Sequence, residues 1–136
     1  MRLQNAYMEI ASRSLETAEV LADTGYQEAV TFYAYHAFES LGGVLCSSYG
    51  EHYPSGHTGK INAFVAVARR CRIGVSVARV AIRIDSMRNR CLYPTEIIPV
   101  QSYETPSQAI SLTDARDILR RVKGIYRLIR RVMGTS

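Results

Sequence analysis

Apolar residues recur every three to four positions through most of the chain, which is the spacing of amphipathic helices. The pattern predicts helices over about 3–22, 26–46, 60–72, 75–92 and 107–133. Turn-forming residues fill 47–59, and three prolines in 93–106 predict an extended, irregular stretch there. We therefore expect an all-α protein, an up-down helical bundle of about five helices that forms a single domain over residues 1–136.

Two local features of these helices need a structural explanation. Gly42-Gly43 falls inside the second helix, where each glycine costs about 1 kcal/mol relative to alanine. A close approach between helices would account for the pair. The sequence does not decide where the last helix begins, because Thr113-Asp114 could cap it later than residue 107.

The charge is divided unevenly along the chain. Residues 1–68 carry three basic and seven acidic side chains, whereas residues 69–136 carry fourteen basic and five acidic ones, so the halves have net charges of −4 and +9. Fifteen of the seventeen basic residues are arginine, whose planar guanidinium matches phosphate geometry. The bias favours an anionic partner, and a solvated helix surface remains the alternative.

Several classes of protein are excluded or disfavoured by the composition. The chain has no apolar run as long as the roughly 20 residues of a membrane span, and its N-terminus lacks the apolar segment of a secretory signal. Three widely spaced cysteines predict reduced thiols rather than disulfides or a zinc site. Reduced thiols favour a cytoplasmic protein. Common nucleotide-binding and metalloprotease motifs are absent, so we expect no cofactor and no metal.

Arg88 departs from the amphipathic pattern of the fourth helix. At about 100° per residue, it falls in the middle of the apolar face, while Arg79, Arg83 and Arg90 fall on the opposite face. A charged side chain in such a position needs a partner or solvent. The sequence leaves open a buried pair with Glu39 or Glu28, an outward-reaching side chain, a symmetry mate, and a cleft that holds a ligand.

The segment around Arg88 resembles the Arg-Asn-x-x-x-His (Rx4-6H) motif of HEPN domains, which ends the fourth helix of a five-helix bundle. The similarity extends over most of residues 6–133. It includes the first hairpin over 18–30, the second helix over 32–41 with Glu39 at the family's usual glutamate, His57-Thr58 before the third helix, and Tyr93-Pro94 after the fourth.

This resemblance implies an all-helical domain that commonly forms a homodimer, with the two arginine motifs facing each other. Many members are metal-independent endoribonucleases of toxin–antitoxin, CRISPR or phage-defence systems. In these, the histidine assists attack by the ribose 2′-hydroxyl and the arginine stabilises the phosphate charge. Others associate with a small nucleotidyltransferase (MNT) protein.

One position departs from the family motif, because Tyr93 stands where histidine is usual. A phenol has a pKa near 10 and is a poor general base at neutral pH. We expect Arg88 to be the anion-binding centre, Asn89 to orient it or the phosphate, and Tyr93 to contribute a hydrogen bond. His36, three residues before Glu39, could supply the imidazole together with that carboxylate, or be a structural histidine. His52 and His57 are predicted to be solvated loop residues.

Basic residues of the fourth and last helices are candidates for binding a nucleic-acid backbone, with Arg79, Arg83, Arg120 and Arg127 as the predicted contacts. The sequence leaves two functions open. The first is an RNA-directed protein, either a metal-independent ribonuclease or a degenerate RNA- or nucleotide-binding member of a toxin–antitoxin or defence-type system. The second is a non-enzymatic module that binds a nucleotidyltransferase partner.

Overall fold

Five long helices and one short helix make up the part of the bundle that the structure describes. The structure, a computed structural model, describes residues 1–134. The helices are α1 (Leu3–Leu21), α2 (Gln27–Ser48), α3 (His57–Arg70), α4 (Gly74–Leu92), α5 (Pro106–Ala109) and α6 (Leu112–Val132). The all-α bundle expected from the sequence is confirmed, with α5 as an additional single turn.

Helix α2 is the centre of the bundle, because it packs against all four other long helices. Fourteen of its residues are buried. The apolar stripe of α6 supplies the facing wall, with Ile118, Val122, Ile125 and Ile129 almost fully buried. A polar side chain on one of the buried faces of α2, such as Glu39, therefore lies between helices rather than in open solvent.

The two glycines of α2 lie where aromatic rings contact the helix backbone. A Cβ atom on Gly43 would lie 2.7 Å from the Tyr7 ring of α1, and one on Gly42 would lie 2.9 Å from the Phe64 ring of α3. Both separations are shorter than ordinary van der Waals contact. The close approach predicted from the glycine pair is therefore present on two sides of α2.

We expect Gly43→Ala to lower the free energy of unfolding by about 1–2 kcal/mol, because overpacking against Tyr7 outweighs the gain in helix propensity. Gly124→Ala is the matched control, since Gly124 lies in α6 with nothing within 4 Å of its added Cβ, and this change should stabilise the protein. Urea unfolding of both variants measures the difference. If both variants had the same increase in the free energy of unfolding, the packing explanation would be wrong.

Helix α3 begins earlier than predicted, at His57 instead of residue 60. The first N–H groups of a helix need no intrahelical acceptor, so turn-forming residues are tolerated in its first turn. Gly59 is required there, because a Cβ on it would lie 2.9 Å from the Pro54 side chain. The predicted loop over 47–59 consequently ends at Gly56, and His57 is fixed at a helix N-terminus.

The segment 93–106 is more regular than predicted. Strands β1 (Thr95–Ile97) and β2 (Ser102–Glu104) form an antiparallel pair in which Thr95 lies opposite Glu104. We call residues 95–104 the hairpin. It follows α4 directly and leaves Ile98, Val100 and Tyr103 exposed.

The predicted last helix over 107–133 is divided in two. Ile110 is buried and has extended backbone angles, which ends α5. Ser111 then caps α6, and its Oγ accepts a 3.0 Å hydrogen bond from the Asp114 N–H. The cap therefore lies two residues before the Thr113-Asp114 alternative considered from the sequence, and Ser111 is an equally suitable cap residue.

Candidate functional site

Polar side chains from three helices meet at one end of the bundle. Tyr35 and Glu39 lie one turn apart on α2, His57 is the first residue of α3, and Arg88 lies in the last turn and a half of α4. These four residues form what we call the Arg88 cluster. Hydrogen bonds join them in a closed ring, so each side chain is oriented by at least two others.

Glu39 is the buried anion of the cluster, with a side chain only 8% exposed. Its Oε2 accepts hydrogen bonds from the Tyr35 hydroxyl at 2.7 Å and from His57 Nδ1 at 2.8 Å. The Lys60 ammonium lies 3.7 Å from Oε1. A buried carboxylate is stable only with such partners. Glu39 can therefore hold two donors in fixed positions without being exposed to solvent.

The tautomer of His57 follows from its contacts with Arg88 and Glu39, and the Tyr35 hydroxyl also contacts its Nδ1. The Arg88 guanidinium contacts Nε2, and because arginine can only donate, Nε2 must accept. The ring proton then resides on Nδ1 and points to Glu39. A carboxylate behind Nδ1 orients the ring and stabilises an imidazolium, which is the arrangement of a general base. The His57 side chain is 46% exposed, so a ligand can reach it.

Arg88 is explained by contacts within a single chain. Its Nε donates to the Tyr35 hydroxyl at 3.2 Å, and its Nη1 donates to Asn89 Oδ1 at 3.0 Å. The guanidinium also lies 5.8 Å from the Tyr35 ring centroid. The sequence left open a direct ion pair between Arg88 and Glu39. In the structure the two side chains are linked indirectly, because Tyr35 and His57 each contact both of them. A symmetry mate is not needed to account for its position.

Two tyrosines remain neutral and support the carboxylate. Burial raises the pKa of Tyr35, and its hydrogen bond to Glu39 raises it further. Burial likewise raises the pKa of Tyr53, with the Glu39 charge adding to the shift. The Tyr53 hydroxyl donates to the Glu39 backbone oxygen at 2.5 Å. Both phenols therefore act as hydrogen-bond donors that fix the α2 turn, not as acids.

The residues predicted from the sequence are distributed between the cluster and the surface. Arg88, Asn89 and Glu39 come together. Tyr93 is 56% exposed at the end of α4, and its side chain makes no hydrogen bond to any residue in 1–134. His36 is also exposed, and its ring stacks on Phe32 with a centroid distance of 6.2 Å. The imidazole that contacts Glu39 is thus His57 and not His36.

Tyr35 and His57 were not among the predicted site residues. They are separated from Arg88 by 53 and 31 positions, so no helical spacing connects them. The only sequence feature that pointed to His57 was the resemblance of His57-Thr58 to the family pattern before the third helix. The sequence predicts residue 57 in a solvated loop, whereas in the structure it is the first residue of α3 and its ring contacts Glu39 of α2.

The basic surface of α4 and α6 is partly neutralised by ion pairs. Arg83 lies 2.9 Å from Asp114, and Arg120 lies 2.6 Å from Asp117. Partial burial raises the pKa of Asp117, but hydrogen bonds from Arg121 and Arg120 outweigh this and lower it overall. Two further pairs involve α6: Arg116 pairs with Asp23 in the turn after α1, and Lys123 pairs with Glu19 of α1.

Arg79 and Arg127 differ from the other predicted contacts. Both are exposed, and neither forms an ion pair with a residue in the described part of the chain. An unpaired surface guanidinium is available to an external phosphate without first breaking an internal bond. Of the four arginines proposed from the sequence, these two are therefore the most available to a nucleic-acid backbone.

The buried thiols are not candidate nucleophiles. Burial raises the pKa of Cys46 and of Cys91 to about 11, so both are protonated at neutral pH. Within residues 1–134, no group of three or more histidine, cysteine or acidic side chains is positioned to hold a metal ion. In the same range, no helix has the length and hydropathy needed to cross a membrane.

Comparison with known proteins identifies the class. The family model of the HEPN domain matches residues 4–132, nearly the whole chain. The chain therefore belongs to the HEPN domain family, as its resemblance to the arginine motif predicted. No curated protein and no solved structure matches it.

Proposed function

We propose that this HEPN protein is an RNA-directed, metal-independent endoribonuclease whose reaction centre is the Arg88 cluster, in a system of the toxin–antitoxin or defence type. The observation that supports this most strongly is the Glu39–His57–Arg88 arrangement, a carboxylate-oriented imidazole in contact with a guanidinium. A base and a phosphate-binding cation are the two groups that cleavage through the ribose 2′-hydroxyl requires.

The reaction follows from the donor and acceptor assignments. His57 Nε2 takes the proton of the 2′-hydroxyl as the 2′-oxygen attacks the adjacent phosphorus. The resulting imidazolium is stabilised by Glu39. Arg88 donates to the phosphate oxygens on which negative charge increases. The bond from phosphorus to the 5′-oxygen breaks, and that oxygen takes a proton from a water molecule. The hydroxide left behind takes the proton from the His57 imidazolium, which restores the neutral base. The products are a 2′,3′-cyclic phosphate and a free 5′-hydroxyl.

Arg88 also controls access to the base in this proposal. Its Nη2 contacts Nε2 of His57 and so covers the lone pair that the reaction needs. A phosphate group that draws the guanidinium away frees that lone pair at the moment when the substrate is in place. Tyr35 keeps the guanidinium nearby through the 3.2 Å bond to Nε. Phosphate binding and activation of the base are thereby coupled.

The exposed arginines lead to a prediction about RNA affinity. We expect RNA binding to weaken steeply with salt, because displaced counterions return to the RNA. Arg127→Glu should weaken binding about equally for unrelated RNA sequences, whereas Arg116→Glu should also disturb its pair with Asp23. Fluorescence anisotropy at several salt concentrations measures both effects. An affinity independent of salt would mean that this surface is merely solvated.

We also expect a homodimer, since HEPN domains commonly dimerise. Two Arg88 clusters brought together across a dyad would form one longer cleft for RNA. Light scattering at micromolar concentration should give twice the chain mass of 15.2 kDa. A mass of one chain over the whole concentration range would rule the dimer out.

The hairpin favours a second function, a module that binds a nucleotidyltransferase (MNT) partner. Ile98 is 81% exposed, Val100 67% and Tyr103 64%, which is unusual for three large apolar residues so close in sequence. Ile98→Ser with Val100→Ser should abolish capture of such a partner and leave RNA cleavage unchanged. If the unmodified protein cleaves no RNA, and the two substitutions abolish its binding to the partner, the protein has only this second function.

A further inference from the structure

A groove between α3 and α4 begins beside the Arg88 cluster. It has a volume of about 330 Å³, and its walls include Ile61, Val65 and Ile82. We call it the α3–α4 groove. Ile82 is 74% exposed, so the groove opens to solvent along one side. None of the contacts that form the cluster involves its walls.

The groove and the cluster are continuous along both helices. Thr58, at one end of the groove, follows His57 directly in the chain. Asp85 lies three residues before Arg88, which places the two on the same face of α4 at about 4.5 Å along its axis. A ligand whose phosphate contacts Arg88 can therefore extend into the groove without crossing the bundle.

Three polar side chains project around the apolar walls. They are Thr58, Asn62 and Asp85, and within residues 1–134 none of them makes a hydrogen bond or an ion pair. Apolar walls with a few convergent polar groups are typical of sites that recognise small planar ligands. The combination of one acceptor-only group with an amide and a hydroxyl restricts which ligand fits.

We propose that the α3–α4 groove holds a nucleobase of the RNA whose phosphate binds Arg88, and that guanine is the preferred base. This inference rests on the proposed function, because it names the substrate specificity of the same site. Guanine presents two adjacent donors, N1–H and the 2-amino group, which a carboxylate accepts together. Asp85 provides that carboxylate, and Asn62 and Thr58 can donate to the guanine O6 and N7 acceptors. Adenine would place a lone pair against Asp85.

The proposal also accounts for the mixed character of the groove. The apolar walls suit the faces of a purine ring, and the carboxylate suits its donor edge. Asp85 has no basic residue of the groove beside it, so the occupant must bring its own hydrogen-bond donors, as the N1–H and 2-amino edge of guanine does. The observations thus favour a base over a protein surface, and the experiment separates the two.

Calorimetry with GMP, AMP and ribose 5-phosphate tests this inference on the intact chain. GMP should bind about tenfold more tightly than AMP and than ribose 5-phosphate. Asp85→Asn should reduce the ratio of GMP to ribose 5-phosphate affinity about tenfold. Glu96→Gln is the matched control, because this exposed hairpin carboxylate lies outside the groove and should leave the ratio unchanged.

The remaining outcomes separate this inference from the proposed function. Equal binding of all three ligands, unchanged by Asp85→Asn, would overturn the guanine site alone. Failure of every phosphate ligand to bind would overturn both proposals. A change of association state in Asp85→Asn, without any effect on the affinity ratio, would assign the groove to a second copy and overturn the base site.

Discussion

Arg88→Ala should lower metal-independent RNA cleavage by about a thousandfold, the upper range for loss of a donor to a developing phosphate charge. The protein should still fold, because Arg88 is half-buried and water can replace its bonds to Tyr35 and His57. Arg88→Lys should recover less than about a tenth of the activity. An ammonium keeps the charge but loses the planar fork that reaches three partners.

Arg79→Ala is the matched control for this prediction. Arg79 is another arginine of α4, but it is exposed and remote from the cluster contacts. Its loss should weaken RNA binding modestly and leave the rate at saturating RNA unchanged. Cleavage rates and thermal melting of both variants decide the role of Arg88. An Arg88→Ala protein that is unfolded would show that the guanidinium is a structural residue.

His57→Gln should lower cleavage by about a hundredfold to ten-thousandfold, the usual contribution of a positioned general base. Tyr93→His and Tyr93→Phe should change the rate no more than about twofold, because Tyr93 is exposed and makes no bond into the cluster. The comparison tests whether the imidazole from α3 replaces the one that the family motif places at the end of α4.

His36→Gln provides the control for general effects of losing an imidazole. Its ring stacks on Phe32 at the surface and has no contact with Glu39. Activity of His36→Gln should equal that of the unmodified protein. The opposite result would be a large increase in cleavage rate for Tyr93→His together with an unchanged rate for His57→Gln. It would mean that the general base belongs at the end of α4 and that His57 is structural.

The sequence predicted the helices well where an apolar repeat spans several turns. In α6, for example, Ile118, Val122, Ile125 and Ile129 lie on the buried face that their spacing indicates. Helix ends were less well predicted, because they depend on single side chains and close contacts. Ser111 capping α6 and Pro54 packing on Gly59 are two such cases.

The site could be predicted only in part. Arg88 was recognisable because a charge interrupted an apolar face, and Glu39 because of the family resemblance. His57 and Tyr35 were not, because they join the cluster through packing of α3 and α4 on α2. A repeat of about 3.6 residues relates positions within one helix but carries no information about which residues of different helices meet.

Whether the Arg88 cluster is the reaction centre is decided by incubating a mixed RNA with the purified protein in excess EDTA. The His57→Gln variant and the same RNA with 2′-O-methyl groups are run beside it. The Arg88 cluster should cleave only the unmodified RNA, leave 2′,3′-cyclic phosphate ends, and lose this activity with His57. Cleavage that disappears in EDTA, persists in His57→Gln, or proceeds on the methylated RNA would contradict a metal-independent reaction based on His57.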